Sequence, residues 1–257
     1  MKLSLFVYTA VLATWMSACG TDPRSDFAGR NVFGEDQRRA LTSREWPWRT
    51  IGRLTGNGSC TATLVAADLV LTAAHCVLED GKLTGQPIRY YPHMVDGQSL
   101  WESGVNHVWW GTTDPVTRTR EDWAVLRLTE PLGERYGWLA TRSVGVQDFP
   151  AGLSLAGYSY DFAGGATAGL HEGCRTRARL PEKGLILHDC DATRGASGGP
   201  ALVMIDDQLT IVGMNVAERR DGGEHSLHAE SWSDAQANVI IPSAGFVRRL
   251  RLILGLD

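Results

Sequence analysis

The sequence lacks several features that would assign a protein to a common functional class. It has no excess of basic residues, because 25 Lys and Arg stand against 29 Asp and Glu, for a net charge of -4. A chain without an excess of positive charge binds the phosphate backbone of a nucleic acid weakly, so we expect no nucleic acid partner. The sequence also has no solenoid repeat and no low-complexity segment, which excludes repeat architectures. We therefore expect a folded globular protein.

Long apolar runs are missing as well. The apolar run near the amino terminus, residues 3–16, has 14 residues, whereas a transmembrane helix needs about 20. Its position predicts a signal peptide over residues 1–18. Residues 16–20 read Met-Ser-Ala-Cys-Gly, which resembles the lipobox of bacterial lipoproteins, in which the cysteine is lipidated. We expect lipidation of Cys19, with ordinary cleavage nearby as the alternative.

No two cysteines have the Cys-x-x-Cys spacing that structural zinc sites commonly use. The chain has five cysteines, of which four form two pairs separated by 16 positions, Cys60 with Cys76 and Cys174 with Cys190. This spacing suits two local disulfides better than metal ligands, and we expect no metal and no cofactor. In an exported chain the fifth cysteine has no partner, which favours lipidation of Cys19.

Sustained helical periodicity is missing from almost the whole chain. After a polar segment at residues 19–45, which predicts a lipid tether or pro-like segment, short apolar runs are broken by Gly, Asn or Asp, a pattern typical of strands. The predicted strands are residues 50–54, 61–65, 69–72, 123–128, 153–158, 185–188, 200–205, 209–214 and 238–241. Only residues 243–254 have helical spacing, which predicts a carboxy-terminal helix capped by Ser243. These patterns indicate an all-β protein with one terminal helix.

Three short motifs carry the chemistry. They read Leu-Thr-Ala-Ala-His-Cys at 71–76, Glu-Asp-Trp-Ala-Val-Leu at 121–126 and Gly-Ala-Ser-Gly-Gly-Pro at 195–200. These motifs resemble the histidine, aspartate and serine motifs of chymotrypsin-like serine peptidases, in that family's chain order. Residues 34–38 and 51–54 resemble the glutamyl endopeptidase branch. The resemblance covers about residues 31–250, and three ordered motifs make coincidence improbable.

The resemblance implies two six-stranded antiparallel β-barrels, the first at residues 46–138 and the second at residues 139–257, with the active site between them. It implies that Ser197 is the nucleophile, that His75 is its general base and that Asp122 holds the imidazole in the correct tautomer. A serine hydroxyl needs such a base because it is a weak nucleophile at neutral pH. The amides of Gly195 and Ser197 are the expected oxyanion hole, since glycines leave room for a tight turn.

Selectivity is expected to depend on the substrate pocket. Asp191 lies six residues before Ser197, where trypsin-like enzymes carry the aspartate that selects Lys or Arg, but Arg194 could neutralise it. The glutamyl endopeptidase branch selects acidic residues with a histidine on a neighbouring strand, where this chain has Asn215, and Glu218 adds negative charge nearby. We expect cleavage after Lys or Arg. The alternatives are a purely structural Asp191 and selectivity for acidic residues.

Two other functional classes compete with a peptidase. A catalytically silent binding protein of the same fold is disfavoured because such chains usually lose a triad residue. An esterase is disfavoured by the chain order. We expect an exported, monomeric serine endopeptidase that acts on polypeptides and is secreted or anchored to the bacterial envelope through Cys19. By resemblance, Cys60–Cys76 is the histidine-loop disulfide and Cys174–Cys190 braces the approach to Ser197.

Overall fold

The computed structural model describes residues 31–220, 232–233 and 235–256. The predicted signal peptide, Cys19 and the first part of the predicted tether lie outside the described residues. Within the described ranges, no helix has both the length and the apolar character needed to span a membrane.

The described part of the chain contains sixteen strands and two short α-helices, joined by turns and loops. In chain order the strands are β1 (Arg39–Ala40), β2 (Ile51–Gly56), β3 (Gly58–Leu64), β4 (Leu69–Thr72), β5 (Leu78–Glu79), β6 (Lys82–Leu83), β7 (Arg89–Pro92), β8 (Ser103–Trp110), β9 (Ala124–Leu128), β10 (Ala140–Thr141), β11 (Gly152–Gly157), β12 (Gly169–Leu180), β13 (Leu185–His188), β14 (Pro200–Ile205), β15 (Gln208–Arg220) and β16 (Gln236–Pro242). The helices are α1 (Leu132–Tyr136) and α2 (Val247–Leu254).

The strands close into two antiparallel barrels. The first has the order β2-β3-β4-β9-β8-β7, and the second has the order β11-β14-β15-β16-β13-β12, closed because β12 pairs with both β11 and β13. Short strand β1 adds to β12, and β10 pairs in parallel with β15. The predicted fold class, two six-stranded antiparallel barrels with a carboxy-terminal helix, is confirmed.

Strands β4 and β9 illustrate why these sequences form the wall nearest the expected site. All four residues of β4 are buried, so its sequence is a continuous apolar run ending in Thr72 rather than an alternating pattern. It pairs with β9 in a register that sets Thr72 opposite Ala124. Each fully buried Leu or Val contributes about 1.5–3 kcal/mol, which fixes the ends of both strands firmly.

The carboxy-terminal helix begins later than the sequence predicts. A 3-10 turn occupies Ser243–Gly245, and α2 starts at Val247. The Ser243 hydroxyl accepts from the Val144 amide at 2.9 Å and donates to the Arg142 carbonyl instead of capping the helix. The cap prediction was wrong, because this hydroxyl joins the turn to a distant segment of the second barrel.

Residues 31–41, here called the amino-terminal strap, pack on the second barrel rather than forming part of a tether. Val32 and Leu41 are buried. The Asn31 side chain is also buried, and its Nδ2 donates to the Ala237 carbonyl at 3.0 Å and to Asn238 Oδ1 at 3.1 Å. The strap is polar in sequence because it bonds to polar groups of the barrel, which is why composition alone does not reveal it.

Candidate active site

His75 and Asp122 meet at the end of the β4–β9 pair. His75 lies in the 3-10 turn that follows β4, and Asp122 lies two residues before β9. Asp122 Oδ2 is 2.7 Å from His75 Nδ1, and Asp122 Oδ1 accepts the His75 amide at 2.9 Å. Asp122 is buried, whereas the His75 side chain is 35% exposed. The carboxylate therefore orients the imidazole with the proton on Nδ1 and leaves Nε2 to accept a proton.

The Ser197 turn is held between the two barrels. The Ser197 carbonyl accepts the amide of Thr61 on β3 at 2.8 Å. The next residue, Gly198, donates its amide to the carbonyl of Asn215 on β15 at 2.8 Å. Cys76, the neighbour of His75 in sequence, places its sulfur 3.9 Å from the Ser197 carbonyl oxygen. The predicted nucleophile and the predicted base therefore border the same junction.

Two backbone amides near Ser197 are available for an oxyanion. The Arg194 carbonyl accepts the Tyr160 amide at 2.8 Å, so the Gly195 N–H of the same trans peptide points the opposite way. The Gly195 carbonyl in turn accepts the Thr61 hydroxyl at 2.8 Å. Among the described residues, neither the Gly195 nor the Ser197 amide donates to another protein group. Paired, unengaged amides of this kind are what oxyanion binding requires.

Glycine is required at two positions of this turn. Gly195 has a φ of +102°, and a Cβ there would lie 2.3 Å from the Tyr158 carbonyl oxygen. Gly198 has a φ of +85°, and a Cβ there would lie 2.1 Å from the Thr61 carbonyl oxygen. Both contacts are with backbone, which cannot move aside as a flexible side chain would. The glycines of the motif thus permit close packing of the turn against both barrels.

Thr61 is a site residue that sequence reasoning missed. Its hydroxyl donates to the Gly195 carbonyl at 2.8 Å and accepts the Tyr158 amide at 2.9 Å. Its own carbonyl accepts the Thr72 hydroxyl at 2.8 Å. A threonine within a strand carries no sequence signal, because its role depends on which segment of the second barrel lies against it.

Asp191 lies beneath the amino-terminal strap. Its two carboxylate oxygens accept the amides of Phe33 and Gln37, each at 2.9 Å, and it is 3% exposed. Its own amide donates to His171 Nδ1 at 2.9 Å. This geometry agrees with the structural-acid alternative. The predicted Lys/Arg selectivity depends on an Asp191 carboxylate that faces the substrate, and here each of its oxygens accepts an amide of the strap.

Asn215 is fixed by a buried histidine that the sequence did not single out. Burial lowers the pKa of His188 to about 4, so its ring is neutral at pH 7. The Cys190 amide donates to His188 Nδ1 at 3.2 Å, which leaves the proton on Nε2, 3.1 Å from Asn215 Oδ1. Asn215 Nδ2 then donates to the Ala196 carbonyl at 3.4 Å. His188 thus positions Asn215 against the residue that precedes Ser197.

The other two predicted pocket residues lie on either side of this region. Arg194 lines a cavity of about 230 Å³ together with Ser59, Tyr160 and Gly195. Glu218 is half-buried on β15, where it pairs with Asn238 of β16. Arg194 therefore lies next to Gly195, one of the two residues of the candidate oxyanion hole. Glu218 lies in the wall of the second barrel.

Both predicted disulfides, Cys60–Cys76 and Cys174–Cys190, are formed. The first joins β3 to the turn that carries His75. The sulfurs of Cys60 and Cys76 and a ring nitrogen of His75 lie within 4.8 Å of one another, the one cluster of three potential metal ligands in the part of the chain described. Because the two sulfurs are bonded to each other, the cluster offers no thiolate to a metal.

Comparison with known proteins supports this geometry. The family model for trypsin matches residues 36–230. The chain belongs to the trypsin family. The resemblance to chymotrypsin-like peptidases is thereby confirmed.

The glutamyl endopeptidase of Bacillus licheniformis is 25% identical over 194 residues, which cover 69% of this chain and 56% of that protein. The trypsin-family chain thus spans little more than half the length of this curated relative. A solved structure of a Glu endopeptidase in complex with MPD has a TM-score of 0.68 and 22% identity, and the match covers 88% of this chain and 99% of that one. Protease Anisep from Arthrobacter nicotinovorans has a TM-score of 0.56 and 17% identity, with coverage of 76% and 89%. These two structures share the fold.

Proposed function

We propose that the protein is a serine endopeptidase that hydrolyses peptide bonds through an acyl-enzyme on Ser197. The observation that carries this proposal is the oriented His75–Asp122 pair beside a Ser197 turn with two unengaged amides. Membership of the trypsin family agrees with it.

The geometry supports the following sequence of steps. Ser197 Oγ attacks the scissile carbonyl carbon while His75 Nε2 accepts the hydroxyl proton. The amides of Gly195 and Ser197 stabilise the negative oxygen of the tetrahedral intermediate. His75 returns the proton to the leaving amine, which breaks the C–N bond and leaves an ester on Ser197. Water, deprotonated by the same imidazole, then releases the acid product and restores the hydroxyl.

Hydrolysis of a mixed peptide library by the purified full chain tests this proposal. We expect cleavage by the wild type and loss of all cleavage in Ser197→Ala. Ser143→Ala is the matched control, because Ser143 is exposed and forms no hydrogen bond with the described residues; it should cleave like the wild type. Cleavage that persists in Ser197→Ala would contradict the proposed nucleophile.

We also propose that the enzyme prefers to cleave after acidic residues. Asp191 has both oxygens occupied by amides of the strap, so it offers no free carboxylate to a substrate Lys or Arg. Arg194 lines the cavity beside Gly195, where its positive charge favours a substrate carboxylate over a substrate ammonium or guanidinium. A relative with 25% identity is called a glutamyl endopeptidase. The second candidate, cleavage after Lys or Arg, is favoured by the negative charges of Asp191 and Glu218.

Sequencing the library products decides between the two selectivities. We expect the wild type to cleave after Glu or Asp and Arg194→Ala to lose at least ten-fold of that preference. Arg142→Ala, a change at an exposed arginine of the same barrel, is the control. Wild-type cleavage after Lys or Arg that disappears in Asp191→Asn would establish the second candidate instead.

We further propose that the protein is exported and anchored to the bacterial cell envelope by lipid on Cys19. The other four cysteines are joined in two disulfides, so Cys19 is the cysteine left over. Intact-mass analysis of detergent-extracted protein should give a chain that begins at Cys19 and carries added acyl mass. An unmodified amino terminus elsewhere, or unchanged membrane retention of Cys19→Ala, would contradict the anchor.

A further inference from the structure

A cavity of about 520 Å³ lies in the first barrel among three chain segments. These are the segment before β2, the loop after β7 and helix α1. The residues of the cavity that carry the argument are Arg44, Arg49, His93, Asp96, Trp101 and Arg135. None of these residues belongs to the proposed triad or to the Ser197 turn, so the cavity is a separate feature of the molecule.

Three arginines concentrate positive charge in this cavity. None of the three forms an ion pair with a carboxylate of the described residues. Arg49 Nε donates to the Tyr136 carbonyl at 2.9 Å, and the Arg135 guanidinium stacks on the Trp101 ring at 4.1 Å. Burial raises the pKa of Tyr136, and Arg135, Arg44 and Arg49 all oppose that rise. The positive charges of all three arginines are therefore close to Tyr136. The contacts with Tyr136 and Trp101 hold Arg49 and Arg135 in the cavity before any ligand binds.

His93 is a second and independent sign of a binding site. It is 8% exposed, and its Nε2 is enclosed without a hydrogen-bond partner among the described residues. Burial lowers the pKa of His93, and this outweighs a backbone hydrogen bond to Ser43 that raises it; Arg44 lowers it further. A buried polar nitrogen without a partner costs free energy, which a hydrogen bond to a ligand would restore.

Asp96 is the one carboxylate among the lining residues. It is exposed at the rim, and its Oδ1 accepts the Thr167 hydroxyl at 3.3 Å. Three guanidiniums against one carboxylate leave an excess of two positive charges. Such a lining matches a doubly charged anion with several acceptor oxygens, because guanidinium groups present forked donors from separate directions.

We propose that this cavity binds a tetrahedral oxyanion of the phosphate or sulfate class, free or as part of a larger ligand. Arg44, Arg49 and Arg135 supply charged donors. His93 Nε2 lies at the enclosed side and donates to the anion when the ring takes up a proton, which a bound anion favours. The Trp101 ring, which also contacts Arg135, forms an apolar wall for the group that carries the anion.

Calorimetric titration with inorganic phosphate and, separately, with sodium sulfate tests the proposal. The full chain carries Ser197→Ala, which prevents self-digestion, and ionic strength is held constant with sodium chloride. We expect saturable binding of at least one anion at one site per chain. Arg44→Gln and Arg135→Gln, both changes at exposed side chains, should each weaken binding at least ten-fold.

Arg89→Gln is the matched control, because Arg89 is an exposed arginine paired with Glu102 outside the cavity. It should bind like the parent. Thermal unfolding provides a second readout: the anion should raise the melting temperature of the parent and of Arg89→Gln more than that of Arg44→Gln. Absence of saturable binding to both anions, or equal affinity in Arg44→Gln, Arg135→Gln and the parent, would overturn the proposal.

Discussion

Asp122 shows how much of the proposed chemistry depends on one carboxylate. It is buried just before the start of β9, and its two oxygens bond the ring and the backbone of His75 separately. One bond fixes the imidazole's orientation and the other fixes the turn that carries it. Asp122 therefore acts on geometry and on tautomer at once.

Asp122→Asn should separate these two effects. An amide has one acceptor oxygen, so its NH2 group would face either the His75 ring or the His75 amide. We expect kcat to fall roughly 10,000-fold, the size of loss typical when the wrong tautomer is favoured. Kinetics on a peptide substrate measure the fall, and circular dichroism checks that the fold is kept. A loss of less than ten-fold would exclude the role given to Asp122.

His188 predicts a specific dependence of stability on pH. Its pKa is about 4 in the folded protein, against about 6.5 in an unfolded chain. The unfolded chain therefore binds more protons between these values, so stability is full above pH 6.5 and is lost as pH falls toward 4. For this residue the loss should be roughly 2 kcal/mol between pH 7 and pH 5.

Urea unfolding at pH 7 and pH 5 measures this dependence in the Ser197→Ala protein. His188→Gln removes the titrating group, so its stability should fall less between the two pH values. His93, whose pKa is also lowered by burial, is present in both proteins, so their difference isolates His188. Equal losses in the two proteins would show that His188 is not buried as a neutral ring.

At the residue scale, sequence reasoning can propose the residues that belong to motifs. His75, Asp122 and Ser197 stand in short patterns that chemistry constrains. Thr61 and His188 stand in no pattern, because their partners come from distant segments that only the folded chain brings near. Asp191 was found by position, but its environment depends on the strap.

At the scale of elements, the Ser197 turn requires glycine for two separate reasons. Gly198 has a positive φ, and the space where its Cβ would lie is taken by the Thr61 carbonyl of the other barrel. Gly58 has a similar φ of +90° with no atom within 4 Å of the Cβ position. Comparing Gly58 with Gly198 therefore separates the free-energy cost of a positive φ in a residue with a Cβ from the additional cost of a steric clash.

Gly198→Ala should therefore be far more harmful than Gly58→Ala. For Gly58→Ala we expect a loss of about 1–2 kcal/mol, the cost of a left-handed alanine, with activity kept. Gly198→Ala should lose more stability than this and nearly all activity, because the turn must move away from β3. Urea unfolding and peptide hydrolysis measure both. Equal effects of the two substitutions would mean that the turn does not pack against β3 as described.

The elements that the sequence predicted well are short strands with continuous apolar runs; β4 and β13 are buried throughout, and β14 is buried over its first three residues. The bounds of β4, β13 and β14 match the predicted runs 69–72, 185–188 and 200–205. Strands β8 and β12 were missed, because much of each is exposed or half-buried and their sequences mix aromatic or apolar residues with polar ones. The strap was missed for a related reason, since its bonds to the barrel use polar groups.

At the scale of the whole molecule, the proposed active site depends on how the two barrels meet. His75 and Asp122 belong to the first barrel, and Ser197 belongs to the second. Thr61 bonds the Ser197 turn, and the Tyr158 hydroxyl accepts the Met94 amide at 2.8 Å, so the same interface holds the barrels together elsewhere. The fold could be predicted from the three motifs and from their order along the chain. The contacts that align the barrels could not, because they join residues far apart in sequence.

The central claim is that Ser197 is a nucleophile activated by His75 of the other barrel. Labelling of the full chain with a fluorophosphonate, followed by peptide mass spectrometry, tests it most directly, since the reagent reacts far faster with a serine that a neighbouring base activates. The account predicts one adduct per chain, located on Ser197, with none in Ser197→Ala and at least a hundred-fold slower labelling in His75→Ala. An adduct on another serine, or equal labelling rates in the wild type and His75→Ala, would contradict it.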